Sequence, residues 1–151
     1  MSPARDLPDA VLFACNLNAV RSPMAAGIMR SLFGKRVYVD SVGVRPGDLD
    51  PFAVVVMDEV DIDISEHQAK SFAQLEDTLF DIIISLTPEA HHNAVELTRT
   101  MAVEAEYWPT KDPTAFVGGS REQILHAYRE VRDALIERIQ KRFSADGTPN
   151  P

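Results

Sequence analysis

The chain has 151 residues and a formal net charge of −8, with 45% hydrophobic and 25% charged residues. That length and balance suit one folded domain with a sizeable core, and the acidic surplus argues against a role in gripping nucleic acid or an anionic membrane. The single cysteine excludes an internal disulfide and a cysteine-based zinc site.

Met1 to Ala10 carries Arg5, Asp6 and Asp9 and lacks the basic-then-apolar order of a secretory leader. No apolar run approaches the roughly 18 residues of a membrane span. A cytoplasmic protein is therefore expected. Met1 to Pro8 reads as a loose lead-in. Ala10 to Ala14 (AVLFA) is a continuous apolar run, the pattern of a buried parallel strand. Ser22 to Phe33 places Ala25, Ile28, Met29 and Leu32 at helical spacing, with Ser22 as cap, Pro23 in the first turn and Gly34 as the stop. Arg36 to Ser41 alternates like a second strand. Pro51 to Val60 reads as a helix capped by Asp50, and Phe72 to Glu76 as a short helical turn. Phe80 to Leu86 (FDIIISL) is a buried strand, and Pro88 to Thr98 a helix capped by Thr87. Ala105 to Trp108 is a fourth short strand. Ser120 to Phe143 is a long amphipathic helix carrying Ile124, Leu125, Tyr128, Val131, Leu135, Ile136 and Ile139, opened by a Ser120–Gln123 capping box.

Strands and helices thus alternate from end to end. The pattern predicts an α/β fold, a three-layer sandwich whose four-stranded parallel sheet carries helices on both faces. A single domain over residues 1–151 is expected, with its core at about 10–143 and a flexible tail at 144–151 (SADGTPNP). Ligands of such sheets bind beyond the carboxyl ends of the strands. The first of these ends is Ala14, immediately before Cys15.

The segment after it reads Cys15-Asn16-Leu17-Asn18-Ala19-Val20-Arg21-Ser22, lying between an expected strand and an expected helix. A loop in that place can turn several backbone N–H groups inward, and the helix N-terminus adds its positive dipole end. A tetrahedral oxyanion suits that field, which also favours the thiolate of Cys15 over the thiol. Arg21 supplies a planar fork for two oxygens. Ser22 stands where its hydroxyl can donate to the sulfur, and Asn18 where its amide can hold the loop's shape. The plainer alternative is that a lone cysteine is a buried small hydrophobe. Lys111-Asp112-Pro113 follows the fourth strand, so Asp112 is a candidate general acid for a leaving alkoxide or phenolate. Asp-Pro is also an everyday turn signal.

Together these residues resemble the low-molecular-weight protein tyrosine phosphatase family. Cys15, Asn18, Arg21 and Ser22 match its Cys-x-x-Asn-x-x-Arg-Ser pattern. Ser41-Val42-Gly43, Ile64-Ser65-Glu66-His67 and Asp112-Pro113 match further family segments in the same order. The resemblance implies that Cys15 is the nucleophile of a phosphocysteine intermediate, Arg21 the phosphate clamp and Asp112 the general acid. It implies that residues Asn16, Leu17, Asn18, Ala19, Val20, Arg21 and Ser22 form the phosphate loop, supported by Asn18, Ser41 and His67. The substrate would be a phosphorylated protein or small aryl phosphate, the product inorganic phosphate, with no metal or other cofactor.

The chain also departs from the family. Leu17 stands where glycine is usual and is expected to strain or reshape the loop. Val20 replaces a second cysteine found in many members. No aromatic residue occurs in Val44 to Asp48, which leaves Phe116 and Trp108 as candidate aromatic walls, Trp108 more naturally a core residue. Two other readings stay open. One is a single-cysteine arsenate reductase using an external small thiol. The other is a non-catalytic phosphate-binding module.

Overall fold

The computed structural model describes residues 7–75, 79–115 and 119–143. In chain order its main elements are β1 (Ala10–Cys15), α1 (Arg21–Phe33), β2 (Tyr38–Gly43), α2 (Pro51–Asp58), β3 (Ile82–Ser85), α3 (Pro88–Leu97), β4 (Glu104–Tyr107) and α4 (Arg121–Phe143). All strand pairs are parallel, in the order β2-β1-β3-β4.

The unbroken apolar run of β1 has a physical cause. The strand is flanked by β2 and β3 and covered on both faces. Val11, Phe13 and Cys15 face α1, α2 and α4, whereas Ala10, Leu12 and Ala14 face α3. Phe13 is fully buried, which is worth about 1.5–3 kcal/mol for a side chain of its size. Trp108 meets it edge-on at 6.2 Å between ring centroids and is 2% exposed, so it is a core residue and not a wall of the site. Phe116, Glu76 and the tail 144–151 lie outside the described residues.

Three helix starts follow their local signals. Asp50 Oδ1 accepts from Phe52 N at 2.8 Å and Thr87 Oγ1 from Ala90 N at 3.2 Å, each with proline in the first turn. Ser120 and Gln123 exchange bonds of 2.8 and 3.2 Å. The start of α1 differs from expectation. It begins at Arg21 behind Val20, with no side-chain cap, because the Ser22 hydroxyl is engaged elsewhere. β2 also starts later than Arg36, since Arg36 N and Val37 N both bond back to Phe33 O and prolong the turn after α1. Phe72–Gln74 forms a single 3-10 turn.

α4 spans the α1 and α2 side of the sheet. Tyr128 OH donates to Asp50 Oδ2 at 2.6 Å, tying α4 to the start of α2. Buried Arg132 donates to Val56 O and Glu59 Oε1, both at 2.8 Å. Hydrogen bonds from Arg129, then Arg132, hold the Glu59 carboxyl down at about 2. Among the described residues no helix is long and apolar enough to cross a membrane.

The chain runs from β1 to β2 on one side and reaches β3 on the other. The crevice of the sheet therefore opens beyond the carboxyl end of β1, where Cys15 ends the strand.

Candidate active site

The loop after β1 is held through its carbonyls along its whole length. Cys15 O accepts from Val44 N, Asn16 O from Arg45 N, Leu17 O from Gly47 N, Ala19 O from Asp50 N and Val20 O from Met24 N, all within 2.8–3.1 Å. Asn18 O takes His67 Nε2 at 2.9 Å. Six consecutive carbonyls thus point outward into the surrounding protein. No peptide among the described residues is cis, and in a trans peptide the following N–H points opposite to the C=O. The N–H groups of residues 16–21 therefore face the inside of the loop. Among the described residues none of them donates to a protein acceptor. A run of inward N–H groups with the N-terminus of α1 behind it is a cradle for an anion.

Asn18 closes the loop from beneath. Its φ is 54°, a left-handed conformation that asparagine tolerates better than most residues. The side chain is fully buried. Nδ2 donates to Ser22 Oγ at 2.8 Å and to Ser41 Oγ at 2.9 Å, and Oδ1 accepts from Lys70 N at 3.0 Å. All the amide's main bonding capacity goes into the scaffold, so Asn18 shapes the cradle with its side chain and lends it only a backbone N–H. Gly43 meets a steric demand. A Cβ there would lie 2.7 Å from Asn18 N and 2.8 Å from Asn16 O.

Ser22 Oγ lies 2.9 Å from Cys15 Sγ and 3.3 Å from Val42 O. Its hydroxyl donates to the sulfur once the sulfur is ionised, which is why this residue is not the α1 cap. His67 donates through Nε2–H to the Asn18 carbonyl, which defines its tautomer. Burial, with Arg30 and Lys70 adding, pushes the imidazole below its ordinary value against the opposing pull of Asn18 O and Asp40.

Arg21 Nη1 donates to Thr110 O at 3.0 Å, and Nη2 stands 3.9 Å from Asp112 Oδ2. Thr114 donates to Asp112 Oδ1 through its N at 2.9 Å and through Oγ1 at 2.6 Å. The carboxylate is thereby aimed, its second oxygen toward Arg21, with the side chain 42% exposed. Cys15, Asn16, Leu17, Ala19, Val20, Arg21, Arg45, Asp112 and Thr114 line one cavity of about 150 Å³. Sulfur, guanidinium and carboxylate thus meet at one opening, although Cys15 itself is only 2% exposed.

The φ of Leu17 is not positive, so the backbone there adopts no left-handed conformation that would call for glycine. Its side chain is 45% exposed and leans on Gly47, where a Cβ would come 3.1 Å from Leu17 Cβ. It forms part of the rim of the cavity. Three participants escape sequence reasoning. Thr87 Oγ1 donates to Asn16 Oδ1 at 2.7 Å while also capping α3. Lys70 contributes only its backbone N–H. Arg45 reaches the cavity because the chain after β2 folds back along the loop carbonyls. The signal that could have located Arg45 is its place shortly after Gly43, which pairs with Cys15 in the sheet.

Such a cradle, closing a parallel α/β sheet over a cysteine and an arginine, has the form of an oxyanion site. The chain belongs to the low molecular weight phosphotyrosine protein phosphatase family, whose sequence pattern matches residues 10–145. An arsenate reductase of Bacillus licheniformis is 35% identical over 150 aligned positions, which span 91% of this chain and 96% of that one. A low molecular weight protein tyrosine phosphatase from T. tengcongensis superposes with a TM-score of 0.72 at 26% identity, covering 87% of this chain and 95% of that one. An arsenate reductase in its phosphate-binding state gives a TM-score of 0.68 at 28% identity, covering 87% and 94%.

Proposed function

We propose that the chain is a phosphomonoester hydrolase working through Cys15. The observation that carries this reading is the row of outward carbonyls from Cys15 to Val20, which leaves inward N–H groups around one sulfur. The Cys15 thiolate attacks phosphorus, and an S–P bond forms as the ester P–O bond breaks. Arg21 and the N–H groups hold the equatorial oxygens, whose charge they meet at the transition state. Asp112 gives its proton to the departing oxygen. Water then attacks the phosphocysteine, Asp112 takes the proton back, and the S–P bond breaks. Ser22 donates to the thiolate that leaves.

The relatives called arsenate reductases favour a second reading. Arsenate fits the same cradle: Cys15 would attack arsenic, an S–As bond forming as an As–O bond breaks and the departing hydroxide takes up a proton. The chain has no second cysteine, so an internal disulfide relay has no partner. An external thiol must then attack the Cys15 sulfur. Arsenic leaves as arsenite with the electron pair, and a second thiol frees Cys15 from the mixed disulfide. Asp112 can protonate hydroxide leaving arsenate as well as an ester's alkoxide, so the lack of a second cysteine is what favours the hydrolase.

Both readings are tested together. Aryl phosphate hydrolysis and arsenate-dependent oxidation of a small thiol are measured for wild type and Cys15→Ser. Aryl phosphate turnover that vanishes in Cys15→Ser supports the hydrolase. Thiol oxidation without ester turnover selects the reductase. Ester turnover that survives in Cys15→Ser refutes the cysteine mechanism.

A further inference from the structure

We propose that Arg45 is a specificity-determining residue, selecting phosphomonoesters that carry a second negative group beside the scissile phosphate. The proposal rests on the hydrolase reading above and names the substrate class of the same site.

Arg45 lines the cavity with Cys15 and Arg21. Its backbone is tied to the phosphate loop, since Arg45 N donates to Asn16 O at 3.0 Å. Its position against the cradle is therefore as defined as the loop itself. The two arginines have different surroundings. Arg21 is 13% exposed at the side chain, docked on Thr110 O and placed beside Asp112, which suits it to the reacting phosphate. The Arg45 side chain is 59% exposed and reaches outward to Glu89 Oε2 at 3.1 Å, in the first turn of α3.

That outward partner indicates what Arg45 can accept. A guanidinium takes a carboxylate or phosphate through its planar fork. Glu89 is itself 51% exposed, and an ion pair so open to water is weak and easily exchanged. A carboxylate or phosphate on the substrate can replace Glu89 without stranding a buried charge. Among the described residues that line the cavity, Arg45 is the exposed charged handle for a substrate group. The chain's net charge of −8 makes a cation kept at this mouth a local exception.

The test compares kcat/KM for phenyl phosphate with that for 3-carboxyphenyl phosphate, in wild type, Arg45→Gln and Glu89→Gln. The quantity of interest is the ratio of the carboxylated to the plain ester, in which differences of leaving group cancel between variants. Arg45→Gln is expected to lower that ratio by about two- to fivefold, the range of an exposed ion pair. Glu89→Gln is expected to raise it, by removing the competing carboxylate. Both effects should shrink in about 0.5 M salt. A ratio unchanged in Arg45→Gln overturns the proposal. That includes the case in which both esters slow equally, which places Arg45 on the scissile phosphate. The hydrolase reading fails separately, if wild type turns over neither ester. The same ratio is then read as affinity, titrating ethyl phosphate and phosphoglycolate into the Cys15→Ser protein with and without Arg45→Gln. Equal loss or no loss of both affinities overturns the proposal there too.

Discussion

Replacing Asn18 with alanine should cost about 2.5–5.5 kcal/mol of stability. The side chain is fully buried and makes three hydrogen bonds, to Ser22 Oγ, Ser41 Oγ and Lys70 N. At about 0.5–1.5 kcal/mol net for each, their loss amounts to roughly 1.5–4.5 kcal/mol. Alanine must also adopt the φ of 54°, at a further cost of about 1 kcal/mol. A domain of ordinary stability, about 5–15 kcal/mol, remains folded after such a loss but with a much smaller margin. Urea unfolding reports it directly, because the chain has a single tryptophan and Trp108 is buried in the core. Ser41→Ala serves as the partner in a double-mutant cycle. The Asn18–Ser41 bond predicts a coupling of about 1 kcal/mol, so the double variant loses less than the two single variants added together. An Asn18→Ala protein within about 0.5 kcal/mol of wild type, or strictly additive losses with Ser41→Ala, would refute the view of Asn18 as the post beneath the loop.

Three further outcomes follow from the same geometry. Gly43→Ala drives a methyl group into the backbone of Asn16, Leu17 and Asn18, so it should cost about 1–3 kcal/mol. It should also lower aryl phosphate kcat/KM by about 10²-fold as the loop shifts, and unchanged kinetics would count against a tightly fitted loop. Asp112→Asn should slow hydrolysis of phenyl phosphate by about 10²–10⁴-fold. The loss should be smaller for p-nitrophenyl phosphate, whose leaving group needs less help, and equal losses on the two esters would remove the proton from the account. His67 supplies a pH signature. Burial holds its imidazole below the ordinary value, so just below about pH 6.5 the unfolded chain binds more protons than the folded one. Its contribution is therefore complete above that pH and is lost as pH falls toward the folded value. The stability difference between wild type and His67→Asn should shrink from about pH 7.5 to about pH 5.5, and a difference that stays constant across this range would place the imidazole in water.

How far a sequence reveals such a site depends on the reach of each interaction. The β1 run was legible because burial on both faces removes any alternation. The caps of α2, α3 and α4 were legible because each bond spans two or three residues. Ser22 shows where this local reasoning ends. A serine before a proline gives one signal whether its hydroxyl caps a helix or faces a sulfur, and only the contact to Cys15 Sγ decides between them. The Thr87–Asn16 bond joins positions 71 apart, and the Lys70–Asn18 bond positions 52 apart. Nothing in the neighbourhood of either residue announces them. Lys70 is harder still, because the group it contributes is one every residue but proline possesses. Gly43 lies between these extremes. Its pairing with Cys15 in the β1–β2 register carries the following residues, Val44 and Arg45, back onto the carbonyls of Cys15 and Asn16. The parallel register that orders the sheet therefore also delivers a second arginine to the mouth of the cradle. A shift of that register by one residue would turn the β2 side chains to opposite faces and separate Ser41 from Asn18, so sheet pairing and the shape of the anion site depend on one alignment.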